Sequence, residues 1–319
     1  MGTTKGQPAP SPIRSDARFP YLAQLPPNVP PIEAPYNQEY PSQVIGPPTI
    51  TYYFPIALDG CNPTGVFFPK DFAFVPGGDV DVILYFHGWK DGEFANVKTI
   101  NYYWSGRFHD IKLREDVNNS GKSVILILPM LGDKPGSLRT ADMGVFKVPG
   151  GGDDFLAEAR KWIGRHVPQY KGTAPNVRNV VLAGHSGGGV ILDIQARSMK
   201  ANICEVWCFD SIYGQWDSFQ RDVVKDWLDV ADRRASTRFF FSSTSETSGN
   251  AVELKGKVKK ADAGRFSIEV FSGASASLPR TIKQGSRWND FMIPSGSSWH
   301  YETITRNFQS LVKNAKCLT

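Results

Sequence analysis

From about residue 81 to the end of the chain, apolar residues gather in short unbroken runs separated by amphipathic stretches. Asp81-Val82-Ile83-Leu84-Tyr85-Phe86-His87-Gly88-Trp89 is the first run. Residues 123–129 (SVILILP), 179–183, 203–209, 237–242 and 266–271 repeat the pattern. A run without polar alternation is what a strand buried on both faces requires. The intervening stretches have helical spacing. Residues 103–116 form one predicted helix. A second begins near Asp153, its predicted N-cap, with Phe155, Leu156, Ala159, Trp162 and Ile163 on its apolar face. Residues 217–234 carry Phe219, Val223, Trp227 and Val230, and residues 301–316 carry Ile304, Phe308, Leu311 and Val312. Ahead of this region, residues 49–54 and 65–74 are β-rich and separated by the turn Asp59-Gly60-Cys61-Asn62-Pro63.

Alternating strands and helices call for a parallel sheet covered by helices on both sides. The expectation is therefore an α/β fold: a predominantly parallel sheet of about eight strands, flanked by helices, forming one domain over residues 49–319. Residues 1–48 include Pro26, Pro27, Pro30, Pro31 and Pro35 and show little periodicity. They read as an extended proline-rich arm that wraps the domain or is partly disordered.

The chemistry centres on Gly184-His185-Ser186-Gly187-Gly188, a G-x-S-x-G turn between an apolar run and a resuming apolar segment. Serine at the apex of a strand–turn–helix projects its hydroxyl clear of the sheet, and the crowding there requires neighbours nearly free of side chain. A serine nucleophile needs a base, and an acid to orient that base. Five histidines are available. His87 closes a strand, His109 and His166 fall in predicted helices, and His185 belongs to the turn itself and is expected to point away from Ser186. His300, between the last strand and the last helix, is the predicted base. Asp210 ends the run 203–209, at the sheet edge where ligand sites collect.

In G-H-S-G-G at 184–188, the His87-Gly88 pair closing an earlier strand and the order serine, acid, histidine, the sequence over residues 50–316 resembles the α/β-hydrolase superfamily. The resemblance implies an oxyanion hole made by the backbone N–H groups of Trp89 and Gly187. It also leaves two acids open. The majority pattern places the acid after the next strand, where Glu246 stands; some lipases carry it one strand earlier, which suits Asp210. The implied reaction is hydrolysis of a carboxylic ester through an acyl-enzyme, with no metal or organic cofactor. The same constellation serves a serine peptidase or amidase. A non-catalytic binding protein is the third reading, opposed by the intact serine, histidine and acids.

Composition narrows the partners. The apolar fraction is 41%, the charged fraction 21% and the net charge +5, ordinary for a globular chain. The basic run Lys255-Gly256-Lys257-Val258-Lys259-Lys260 is short and interrupted and reads as solvated surface, so no nucleic-acid partner is expected. No stretch reaches the ~18 apolar residues of a membrane span. No signal peptide or myristoylation pattern is visible at the start, which leaves a cytoplasmic protein or a secreted one with its leader removed. The four cysteines have no metal spacing. Cys204 and Cys208 lie roughly 13 Å apart along one strand, too far to pair with each other, while Cys61 and Cys317 either tether loose segments or are free thiols. Loops 131–152 and 273–299, the second carrying Trp288, Phe291, Met292 and Trp299, are expected to wall the site. Trp89, Tyr102, Tyr103 and Trp104 are expected to add an apolar rim suited to an acyl ester, small or polymeric.

Overall fold

The computed structural model describes residues 50–54, 56, 58, 64–88, 100, 103–104, 111–131, 143–212, 215–216, 219–220, 223–231, 236–242, 248–257, 266–271 and 298–319. The expected arm, residues 1–48, lies outside them.

In chain order the elements are β1 (Ile50–Phe54), β2 (Thr64–Phe68), β3 (Asp79–Phe86), α1 (Leu113–Asn118), β4 (Val124–Pro129), α2 (Gly151–His166), β5 (Asn176–His185), α3 (Gly189–Ser198) and β6 (Ile203–Phe209). They continue with β7 (Gln215–Trp216), β8 (Phe219–Gln220), α4 (Val223–Ala231), β9 (Ser236–Ser242), α5 (Ser248–Lys257), β10 (Phe266–Phe271), α6 (Ser298–Thr305) and α7 (Phe308–Asn314).

One eight-stranded sheet runs β1-β2-β4-β3-β5-β6-β9-β10, and β7 and β8 form a separate two-stranded hairpin. From β4 to β10 every pairing is parallel. β2 pairs antiparallel with both β1 and β4, so the sheet is mixed. The reason is local: β1 and β2 precede the helix-alternating region, and the short link between them can close a hairpin but not a parallel crossover.

Unbroken apolar runs form strands here because both faces of the sheet are covered. Along β3, Val80, Val82, Leu84 and Phe86 enter one core, lined by α2, α3, α4 and α5, while Ile83 and Tyr85 enter the other, beneath α1, α6 and α7. β5 divides likewise, Val180 and Leu182 against Val181 and Ala183. This is the period-2 alternation of a strand, with both sides apolar.

Several expectations are corrected. The second β-rich segment ends at Phe68 rather than residue 74. Of the helix expected over 103–116, residues 103 and 104 are helical, residues 105–110 lie outside the described residues, and α1 runs on past residue 116 to Asn118. Gly150, at φ 80°, stands at the α2 N-cap in place of Asp153. The Asp153 carboxylate instead accepts from Lys200 N (2.7 Å) and Ala201 N (3.0 Å), tying α2 to the end of α3. Phe219 lies in the β7–β8 hairpin ahead of a shorter α4. The final helix begins at Ser298 and breaks into α6 and α7 at Asn307, whose side chain donates to Thr303 O (2.9 Å) and competes with the helical backbone.

At the N-terminal edge of the sheet, the last residues of the chain are clamped across four strands. Asp81, fully buried, accepts from Arg178 Nε (2.9 Å) and Nη2 (2.6 Å), Asn179 Nδ2 (2.9 Å), and Thr319 N (2.9 Å) and Oγ1 (3.0 Å). Burial opposes ionisation of Asp81, but these hydrogen bonds outweigh it and hold its carboxyl below the ordinary carboxylate value. Ser123 N donates to Thr319 O (2.6 Å), and Lys122 Nζ to Leu318 O (2.7 Å). Cys204 at the start of β6 forms a disulfide with Cys317, Cα atoms 6.3 Å apart. Cys208 is a buried free thiol, which burial keeps protonated; Cys61 lies outside the described residues.

Candidate active site

β3 is followed by β4 on one side of it and then by β5 on the other. The connections leaving the C-terminal ends of β3 and β5 therefore diverge, which opens a crevice where open α/β sheets bind ligands. His87-Gly88 leaves β3 at this point and Ser186 leaves β5 beside it. A Cβ built on Gly88 would sit 2.9 Å from Ser186 Cβ.

The turn after β5 is built as the glycine pattern demands. His185 is still extended (φ −122°, ψ 139°), Ser186 takes φ 52°, a short 3₁₀ turn spans Ser186–Gly188, and α3 starts at Gly189. A side chain on Gly188 would collide with the carbonyl oxygen of Phe86, and would stand 2.8 Å from that of His87. Glycine at 188 thus lets the elbow press against the end of β3. Ser186 is 7% exposed.

Asp210 follows β6 in the same way that Ser186 follows β5. His185 and Phe209 are register partners on adjacent parallel strands, so the serine and the aspartate leave the sheet side by side. Asp210 is fully buried at φ 47°. Ser211 holds its turn, with Oγ 2.6 Å from Phe209 O and 3.1 Å from Gly184 O. Asp210 Oδ2 lies 2.6 Å from His300 Nδ1. A carboxylate can only accept, so Nδ1 carries a proton, and in the neutral ring Nε2 is the acceptor. His300 lies in the first turn of α6 with a side chain 16% exposed. Its carbonyl accepts from Thr303 Oγ1 (2.8 Å).

Of the residues singled out in the sequence, the structure thus brings together Asp210 and His300, with Ser186 on the neighbouring strand end and Gly187 next to it. Trp89, Glu246 and loop residues 273–297 lie outside the described residues. Tyr103 and Trp104, expected on an apolar rim, are buried: Trp104 packs on Tyr53 and Phe67. Tyr103 Oη accepts from Gly88 N (2.9 Å). His185, expected to point away from the serine, has its ring centroid 4.3 Å from that of His300, the two planes tilted by 47°. His87 accepts from Leu131 N at Nε2 (2.7 Å) and donates from Nδ1 to Gly88 O (2.6 Å). The two histidines of the HG and GHS motifs were visible in the sequence, but their partners come from distant segments. Nothing local marked Tyr103.

No family model matches the sequence, and no curated protein matches it. Solved structures with a similar chain path include a mutant feruloyl esterase module from Clostridium thermocellum complexed with sinapinate: 12% identity, 77% of this chain and 87% of that one, TM-score 0.45. An S-formylglutathione hydrolase from Agrobacterium tumefaciens is similar at 12% identity, 70% and 86% coverage and TM-score 0.43. Esterase 2 from Thermogutta terrifontis, solved phosphoramylated by tabun, is similar at 14% identity, 79% and 89% coverage and TM-score 0.41. In its helix-covered sheet, its G-x-S-x-G turn after β5 and its paired aspartate and histidine, the chain resembles the α/β-hydrolase superfamily.

Proposed function

We propose that residues 49–319 form the catalytic domain of a serine hydrolase acting on carboxylic esters, small or polymeric, with Ser186 as nucleophile, His300 as base and Asp210 as the acid that orients it. The observation that carries this reading is the 2.6 Å contact of the buried Asp210 carboxylate with His300 Nδ1, beside a serine at φ 52° on the next strand end. Asp210 takes the role over Glu246 because it already engages the base.

In the proposed reaction Ser186 Oγ bonds to the ester carbonyl carbon while its proton passes to His300 Nε2. The carbonyl oxygen becomes an oxyanion facing the N–H groups of Gly187 and Trp89. Collapse breaks the ester C–O bond, and His300 returns the proton to the leaving alcohol. Water, deprotonated by His300, then attacks the acyl-enzyme, and Ser186 recovers a proton as the carboxylic acid departs. No metal or organic cofactor enters the scheme.

The test is labelling by a fluorophosphonate probe together with turnover of p-nitrophenyl esters of graded acyl length. Wild type is expected to label and hydrolyse; Ser186→Ala is expected to do neither. Equal labelling of Ser186→Ala overturns the assignment. Amide substrates turned over as fast as esters would move the activity to a peptidase or amidase.

A further inference from the structure

We propose that His185, the residue before the nucleophile, is a positioning residue that with Tyr103 locks the Gly88 turn to the backbone of His300. The inference rests on the reading of Ser186 and His300 as nucleophile and base. Four groups form one line, buried from Gly88 to His185 and part-buried where it meets His300. Gly88 N lies 2.9 Å from Tyr103 Oη, Tyr103 Oη 3.0 Å from His185 Nδ1, and His185 Nε2 3.2 Å from His300 O.

The two ends of that line fix the direction of the hydrogen bonds they make. A backbone N–H can only donate, so Tyr103 oxygen accepts from Gly88. A carbonyl can only accept, so His185 Nε2 carries a proton and donates to His300 O. With the His185 ring neutral, the phenolic proton of Tyr103 goes to its Nδ1. A neutral ring closes the chain in one tautomer, assigned by the network. The other tautomer would leave both Nε2 and His300 O as acceptors facing each other.

The geometry explains why such a brace matters. Its three anchors are the turn preceding the proposed oxyanion donor, the strand end delivering Ser186, and the first turn of the helix carrying His300. Ring packing reinforces it, His185 lying 4.3 Å from His300, 5.3 Å from Tyr301 and 5.9 Å from Tyr103 between centroids. The proposed scheme gives His185 no bond to form and no proton to transfer. It holds parts whose displacement by about 1 Å costs ~10²-fold in rate.

The experiment compares wild type with Tyr103→Phe, His185→Phe and His185→Gln, with Ser186→Ala as control. Tyr103→Phe keeps the buried ring and removes only the hydroxyl. Glutamine, like the neutral imidazole, has both an accepting and a donating atom; phenylalanine has neither. The two phenylalanine variants are expected to lose roughly 10–100-fold in kcat with KM within about 3-fold, and His185→Gln to recover most of the loss. Imidazole ¹⁵N spectra supply a readout independent of turnover: His185 is expected to show a protonated Nε2 and a hydrogen-bonded, unprotonated Nδ1, whose signal moves toward that of a free ring nitrogen in Tyr103→Phe. If wild type labels and Ser186→Ala does not, while both phenylalanine variants keep wild-type kcat, or the ¹⁵N spectrum shows protonated Nδ1, positioning by His185 is overturned and the serine mechanism stands. Equal labelling of wild type and Ser186→Ala overturns the mechanism and the positioning role together.

Discussion

Ser186 and Asp210 are two of three non-glycine residues with positive φ among the described residues, the third being Lys171. A left-handed conformation costs a side-chain-bearing residue on the order of 1–2 kcal/mol, so its recurrence at two adjacent strand ends marks places where side-chain direction is set by something other than local stability. Asp210→Asn separates charge from shape, because asparagine tolerates the left-handed region as well as aspartate does. The expected result is a loss of about 10⁴-fold in kcat with little change in Tm, measured by steady-state kinetics alongside calorimetry. Gly188→Ala probes the complementary feature, the empty space where a Cβ would strike Phe86 O. Overpacking of this kind costs roughly 1–3 kcal/mol. Thermal unfolding should register that loss, and slower probe labelling should accompany it, since the methyl group pushes the elbow off the end of β3.

At the scale of elements, legibility followed the width of the apolar signal. β3, β5 and β6 could be read because each is buried on both faces, which leaves unbroken runs. α5 was invisible for the opposite reason: its basic end reads as surface, and only Ala251 and Leu254 are buried apolar residues on it. The elbow was legible because its glycines answer to backbone crowding, which a pentapeptide records. The tie from Tyr103 to Gly88 and His185 was not, because it joins residues from separate segments across the sheet edge. α1 carries a polar feature that periodicity also conceals, Asp116, buried at 3% exposure. Burial raises its carboxyl from 3.8 to about 7, against a favourable pull from Lys112 and with a further push from Glu115. An acid with a raised folded-state pKa binds its proton more tightly folded than unfolded. Its contribution to stability is complete below about pH 4 and is lost as the pH rises to about 7. Asp116→Asn removes this dependence. Chemical denaturation from pH 4 to 8 should show the variant gaining on wild type as pH rises, by an amount on the order of a few kcal/mol at pH 8; parallel curves would show that Asp116 ionises freely in the fold.

Across the whole molecule, the segment from His300 to Cys317 is fastened to β6 at both of its ends. His300 meets Asp210 beyond the C-terminal end of the strand, and Cys317 is bonded to Cys204 at its N-terminal end. Between these points Ile304, Phe308 and Val312 bury into the core beneath α6 and α7. The disulfide closes a loop with a sequence separation of 113, for which the chain-entropy model gives about 4–5 kcal/mol of stabilisation. Less than this should be measured, because Asp81, Asn179 and Lys122 hold the same C-terminal residues without it. Loss of about 2–4 kcal/mol would lower Tm by roughly 4–8 °C for a domain of this size. Asp81 adds an opposite pH signature to that of Asp116: its depressed carboxyl contributes stability that is present above the ordinary carboxylate value and lost as pH falls through its own. A Cys204→Ser/Cys317→Ser double variant should therefore melt earlier than wild type, lose its sensitivity to reductant and unfold at a higher pH on acidification. At 25 °C its kcat should stay within about 2-fold, because the His300–Asp210 contact lies at the opposite end of the segment from the disulfide. Calorimetry with and without reductant, paired with ester turnover on the same samples, separates the two ends. A fall in kcat without a fall in Tm would place the disulfide in the service of the site, and a fall in Tm alone assigns it to the clamp.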